Sequence, residues 1–431
     1  MTQLLDAARR RASAGRSLPV QLIGAGIVFR IAIALAALAD HGHRLAPGFP
    51  VYLYNPRTGD AYGYYSAVRE LLEDWQREGK IVLPCALLAA VGFYLVWRFT
   101  RGRPLRIPIR VLAGCWAVGV VGAVLAHTIR YTGAGTIGWP LIWSVPLLPY
   151  RALGLPLNPS IAFGVGLTLS LAFIAATVIA TYLLGRELTG RVWLGVSASL
   201  LYAFWPLVVL ILAGIRGTMN GTWQIDVGLS MYTEPISTAL ACVALVLVLR
   251  SGRGPVAAVT AGALLGFDVA VRLSNILILG CALIWLALRD RGHALWAAVG
   301  ALAFAPVVLA FYRQGYFNPS PSATGTSSGV IPAHVFALHN ARVAWTHSLL
   351  WRPAQLVVLV PLAIVGALVT RRAGSALLSA AILTTAAFYT FYFFTPLHPR
   401  FLFVVLPPLL VLWVAGACAV VSALRPGSGH A

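Results

Sequence analysis

Apolar runs of about twenty residues recur along the whole chain, separated by short polar stretches, and this repetition restricts the fold more than any motif does. A hydrocarbon core about 30 Å thick takes roughly 20 apolar residues per helix, fewer where helices break. Within it every backbone N–H and C=O must find a partner inside the segment, which selects helices for a chain of this pattern. Twelve spans are expected on that basis, at 19–39, 80–97, 110–127, 161–184, 192–213, 234–250, 255–271, 273–289, 294–312, 354–370, 375–395 and 400–423. The run from Pro255 to Leu288 is too long for one crossing; Asp268, Arg272, Ser274 and Asn275 interrupt it, which points to a hairpin turning at the membrane surface. Composition agrees: 59% of the 431 residues are hydrophobic and 10% charged, too few charges to cover a water-facing globule. The expected fold is an all-α polytopic membrane protein, a single domain over residues 1–431 with no separate soluble domain. The first run, Ser17 to Ala39, follows Arg9 to Arg11 but is long and has no clear A-x-A site, so it is taken as a retained span and not a signal peptide.

The net charge of +20 would suggest nucleic acid in a soluble chain, but here the charge falls between apolar runs and reads as topology. The N-terminal tail, 98–110, 185–191, 250–254, 289–293, 371–374 and the C-terminal tail together hold 18 arginines against three acids, Asp6, Glu187 and Asp290. The alternate loops hold 13 basic residues and nine acids. The positive-inside rule then predicts both termini in the cytoplasm of a multi-pass plasma (inner) membrane protein. The long connections, 40–79, 128–160, 214–233 and 313–353, fall outside, where function concentrates.

Amphipathic interfacial helices are expected in the first outer loops. In GDAYGYYSAVRELLEDW, Tyr64, Val68, Leu71, Leu72 and Trp75 recur at helical spacing opposite Arg69, Glu70, Glu73 and Asp74. In the second loop, prolines alternate with Trp139, Trp143 and Tyr150, suited to the headgroup level. The five cysteines sit in apolar runs without disulfide or zinc spacing, and His334, His339 and His347 are too irregularly spaced to make a metal site. Phosphate-binding glycine loops, H-E-x-x-H and nucleophile-elbow motifs are absent.

The remaining signal is a set of polar residues at the predicted outer helix ends: Asp60, Arg130, Asp226, Glu234, Asp268, Arg272, His398 and Arg400, where burying a charge is costly. An outward-facing cavity would collect them. Asp60 suits a general base on an acceptor hydroxyl, and equally an N-cap. Glu234 in a first turn offsets the helix dipole or lines a pocket. Arg272 suits a phosphate, or pairs with Asp268 four residues back. His398-Pro399-Arg400 is an interfacial anchor or a phosphate contact. Arg30, inside the first span, snorkels or pairs within the bundle.

In order along the chain, these pieces resemble the GT-C glycosyltransferases that use polyprenyl-phosphate sugars, closest to the aminoarabinose transferase and protein O-mannosyltransferase-like group. The first-loop pattern matches at Asp60, Tyr64, Arg69 and Glu70, with Ala61 in place of the second acid. YTEPISTALACVALVLVLR with GALLGFDVAVRLSNILIL is similar to the family's Glu-Pro helix and later arginine segment, and HPRFLFVVLPPLLVL to its final helix. Glu78-Gly79-Lys80 departs from the family's Glu-Lys-Pro, so the sugar is not taken to be aminoarabinose. The resemblance implies a GT-C-like bundle and inverting transfer on the outer face from a polyprenyl-phosphate donor to a lipid, glycan or protein hydroxyl. Asp60 would be the base; Arg272, then Arg400 with His398, would hold the donor phosphate; Tyr64, Glu234 and Asp226 would line the sugar and acceptor pocket. The missing acid beside Asp60 implies independence of divalent metal, and no nucleic acid is involved. A transporter or lipid-linked sugar flippase is the alternative; it would bind the same lipid without needing Asp60 as a base.

Overall fold

The computed structural model describes residues 2–39, 59–103, 105–128, 136–156, 159–208, 233–311, 338, 341, 353–370, 373–391 and 399–424. The elements in chain order are α1 (Thr2–Ala39), α2 (Gly59–Phe99), α3 (Arg106–Thr128), α4 (Gly138–Ser144), α5 (Leu148–Ala152), α6 (Pro159–Thr189), α7 (Val192–Ala203), α8 (Thr233–Leu249), α9 (Pro255–Val271), α10 (Ile276–Arg289), α11 (Arg291–Leu302), α12 (Ala305–Phe311), α13 (Pro353–Thr370), α14 (Ala373–Phe391) and α15 (Leu406–Leu424). Short 3-10 turns cover Val145–Leu147, Ser251–Arg253, Leu273–Asn275 and Pro399–Val405. No strand occurs among the described residues.

Seven helical stretches among the described residues are long and apolar enough to cross a membrane: Leu18–Ala36, Ile81–Phe99, Arg106–His127, Ile161–Thr189, Arg291–Phe311, Ala373–Phe391 and Leu402–Leu424. The other five expected spans fall on shorter apolar helices, of which Val192–Ala203 is the first and Leu359–Thr370 the last. The chain is therefore an α-helical polytopic membrane protein. Its outer surface says the same: Ile81, Leu83, Leu87, Leu88, Val91 and Tyr94 stand exposed along α2, as do Val118 on α3 and Ile284 and Leu288 on α10. Water would not tolerate such continuous apolar faces, whereas lipid tails solvate them.

The helices assemble by backbone contact as much as by side chains. A Cβ at Gly262 of α9 would collide with the Ala297 carbonyl of α11, and one at Gly266 with Ala301. Further along, the Phe267 and Phe304 rings meet at 5.3 Å. Contacts that ascend together mean that α9 and α11 run parallel. The chain therefore reverses twice between them, once at Arg272 and once at Asp290. The interrupted run 255–288 is thus a hairpin, as its polar residues suggest. At the second reversal Asp290 accepts from the Gly292 and His293 N–H groups and caps α11. Its carboxyl is held below the ordinary carboxylate range, chiefly by the His293 N–H.

Two elements differ from expectation. The first-loop helix and the second span form one helix, α2, of 41 residues. At 1.5 Å per residue it measures roughly 60 Å, about twice the hydrocarbon thickness, so its first half lies beyond the membrane core. No breaker strong enough separates the halves, and Pro84 is accommodated inside the helix. The second difference concerns Trp139 and Trp143, which are buried in protein where contact with lipid headgroups was expected. Trp143 donates its indole N–H to the Ala162 carbonyl at 2.7 Å. Gly138 allows this burial: without a Cβ, the start of α4 presses directly on the backbone of Ala270 and Val271.

Candidate functional site

At the end of the bundle where α8 begins and α9 stops, the described polar residues converge in a setting with almost no solvent. Glu234 lies in the first turn of α8 and is 2% exposed, Asp268 in the last turn of α9 is 0% exposed, and Arg272 just beyond it is 6% exposed. The backbone of Arg272 is extended, at φ −155° and ψ 108°, because the chain leaves α9 there. Its N–H still bonds the Asp268 carbonyl at 2.7 Å, and its own carbonyl accepts from the Asn275 N–H at 3.0 Å. The turn that breaks the apolar run is therefore tied on both sides, and it points the guanidinium sideways to α8. There Arg272 Nη1 stands 3.5 Å from Glu234 Oε1.

Behind this ion pair a second set of groups closes the site. Asn275 Nδ2 donates to Asp268 Oδ2 at 2.9 Å and to Ser237 Oγ at 2.6 Å, joining α8, α9 and the turn between α9 and α10. Asp268 Oδ1 has no hydrogen-bond partner among the described residues. From α14, the Tyr389 ring lies 5.5 Å from the Arg272 guanidinium carbon, and its hydroxyl shares a hydrogen bond with Ser274. A cation over an aromatic face in a dry site is held by roughly 2 kcal/mol. Among the described residues, one arginine thus sits among two carboxylates and a ring. With both acids ionised these described side chains alone would carry one excess negative charge, so an anion bound by them needs additional cations or a proton on a carboxylate.

The structure brings Glu234, Asp268 and Arg272 together, and places Tyr64 on the same side. Tyr64 is buried, with Tyr65, Val68 and Leu72, in the apolar cluster that contains Trp139, Ile236 and Val271. Because α4 packs against both α2 and α9, it links the start of α2 to the Arg272 turn. Asp60 is the second residue of α2, one turn before Tyr64. The placement of its side chain is outside the described residues. Arg400 belongs to the 3-10 turn Pro399–Val405, which packs on α8 and α14, with its side chain likewise undescribed. Asp226, His398, Arg130 and the histidines 334, 339 and 347 lie outside the described residues.

Sequence reasoning passed over Ser237, Asn275 and Tyr389 as site residues. Ser237 stands three residues after Glu234, on the same helical face, which is a usable signal. Tyr389 lies within an aromatic run that resembles an interfacial anchor. Arg30, 1% exposed, points at the end of α7, with Nη1 3.5 Å from the Tyr202 and Ala203 carbonyls and its guanidinium carbon 5.5 Å from the Tyr202 ring. A cation at a helix C-terminus meets the negative end of its dipole, so Arg30 is held within the bundle.

Compared with known proteins, the chain matches no family model and no curated protein to a significant level.

Proposed function

We propose that the protein is a GT-C-like membrane glycosyltransferase that moves a sugar from a polyprenyl-phosphate donor to a hydroxyl acceptor, with inversion at the anomeric carbon. The observation that supports it is the buried arginine, Arg272, fixed by Glu234 and Tyr389 at the bundle end against which the Tyr64 turn of α2 is also packed. In this reading all twelve apolar helices cross the membrane, both termini are cytoplasmic and this end faces outward.

Asp60 takes the proton from the acceptor hydroxyl as its oxygen bonds the anomeric carbon. The bond from that carbon to the donor phosphate oxygen breaks on the opposite face, and the electron pair leaves with the polyprenyl phosphate. Stabilising charge where it develops is the efficient use of fixed cations. Arg272 would meet the departing phosphate together with Arg400 and His398, which supply the positive charge that the Glu234 pairing takes up. Tyr64 orients the base or the acceptor. Asp226 lines the sugar pocket, and Glu234 borders it while holding Arg272. A lipid donor enters sideways between helices, so no nucleotide-binding domain is required, and no divalent metal takes part.

Mass spectrometry of purified wild type and Asp60→Asn, each incubated with a panel of polyprenyl-phosphate sugars and total membrane lipid, tests this. A glycosylated product formed by wild type only is the expected result. Equal turnover by Asp60→Asn removes the base assignment. Bound polyprenyl phosphate with no turnover from any donor favours a flippase, for which a polar break between two apolar helices is equally suitable.

A further inference from the structure

The opposite end of α8 carries a second feature, independent of the transferase reading. Between the start of α3, the end of α8 and the start of α9 lies a cavity of about 530 Å³. Its walls include Leu105, Ile107, Leu247, Val256 and Thr260, and its polar edge is Arg250. Arg250 is half-buried and fixed: its Nε and Nη2 donate to Glu187 Oε1 at 2.8 and 2.6 Å. Apart from Glu187, the charge that the adjoining segments bring is positive. The segment 98–110 contributes five arginines and no acid, and 250–254 adds Arg253. Arg103 and Arg106, flanking the Leu105 wall, are exposed. Arg110 is already engaged, donating to Thr100 Oγ1 and to the Trp97 carbonyl.

Two details of α9 add to the same field. Gly254, at φ 145°, leads into the helix without a side-chain cap, and Pro255 occupies the first helical position. The first-turn N–H groups of Val256 and Ala257, at the cavity wall, have no acceptor within the helix and carry the positive end of its dipole. The cavity therefore joins an apolar interior large enough for part of an acyl chain to a rim of fixed positive charge. Its depth is right as well, since α8 places Arg250 about 24 Å from Glu234, so the two lie near opposite surfaces of the hydrocarbon.

We infer that this cavity is a binding site for an anionic phospholipid, with an acyl chain against Leu105, Ile107 and Leu247 and the headgroup phosphate on Arg250 and the first turn of α9. Charge complementarity selects the occupant. A zwitterionic lipid would bring its own cation to a rim that has no carboxylate to spare, because Glu187 is already taken by Arg250. Basic clefts between membrane helices are recognised by such headgroups.

The test uses the full chain in detergent and native mass spectrometry. Phosphatidylglycerol, phosphatidylcholine and inorganic phosphate are the three probes, applied to wild type, Ala257→Trp and Glu187→Gln. In wild type, retention of phosphatidylglycerol over phosphatidylcholine by about fivefold or more is expected. Ala257→Trp fills the cavity and should abolish that preference while its thermal midpoint without lipid stays near wild type. Glu187→Gln frees the Arg250 charge and should strengthen retention, whereas a purely structural role for the pair would weaken it. Equal retention of the two lipids, unchanged preference in Ala257→Trp, or displacement of the lipid by millimolar phosphate with no contribution from the acyl chain would each overturn the assignment.

Discussion

Glu234 and Arg272 are charged side chains taken almost wholly out of water, and each helps to compensate the other. Removing one partner of such a pair leaves an uncompensated buried charge and costs about 3–5 kcal/mol, while replacing both by apolar groups can be nearly neutral. Glu234→Ala should therefore lower the thermal midpoint markedly in detergent, and Glu234→Leu with Arg272→Leu should recover most of it. Strict additivity of the two single changes would show that the pair is not coupled. On the proposed function, donor binding would separate the roles further: Arg272→Ala should weaken retention of polyprenyl phosphate, and Ser274→Ala, which loosens Tyr389, should do so to a smaller extent. The sequence identified Arg272 but not Glu234 as its ion-pair partner. Four-residue spacing suggests Asp268, yet that geometry requires a helix through both residues, and the helix stops at Val271. With Arg272 extended, the guanidinium swings to Glu234, 38 residues away, and no local pattern encodes that distance.

Among the elements, α9 and α11 show what glycine contributes to a membrane bundle. Lipid tails are as apolar as leucine, so association depends on close packing, and small residues let backbones approach. Gly262→Ala puts a methyl group into the Ala297 carbonyl and should destabilise by about 1–3 kcal/mol, as overpacking does. Gly280→Ala on α10, where a Cβ meets nothing within 4 Å, should be neutral or slightly stabilising. Thermal unfolding of the two variants side by side checks this, and equal effects would contradict the parallel α9–α11 contact. Hydrophobic runs and the punctuation at Asp268, Arg272 and Asp290 make these elements legible in sequence. What they do not disclose is burial among helices: Trp139 and Trp143 have the composition of a headgroup belt, and the contacts at Gly138, Ala162 and Gly166 draw them inward.

For the whole molecule, the arginine count and the helix directions bear on one question, which end faces which side. With the 98–110, 250–254 and 289–293 loops cytoplasmic, a membrane-impermeant maleimide added to intact cells should label Leu155→Cys and leave Gly252→Cys unlabelled until the membrane is opened, each in a cysteine-free background. The reverse pattern would invert the molecule and place the Glu234–Arg272 end inside, where a lipid-linked sugar transferase of the proposed kind could not work. Arginine placement predicts this orientation because membrane insertion itself responds to it. The interior chemistry is not legible in this way, because Ser237, Asn275 and Tyr389 come from two helices and a turn that are distant in sequence.

The unbroken run of α2 makes that helix a ruler. The height and azimuth of its first turn are counted off from the lipid-facing half at 1.5 Å and about 100° per residue. One alanine inserted at 76–79 would rotate the Tyr64 face out of its cluster. Seven would nearly restore the azimuth and lift the first turn by about 10 Å. Neither should keep the Tyr64 turn in its cluster, because the start of α2 is set by the phase of an apolar half that begins at Ile81; on the proposed function, neither should transfer sugar.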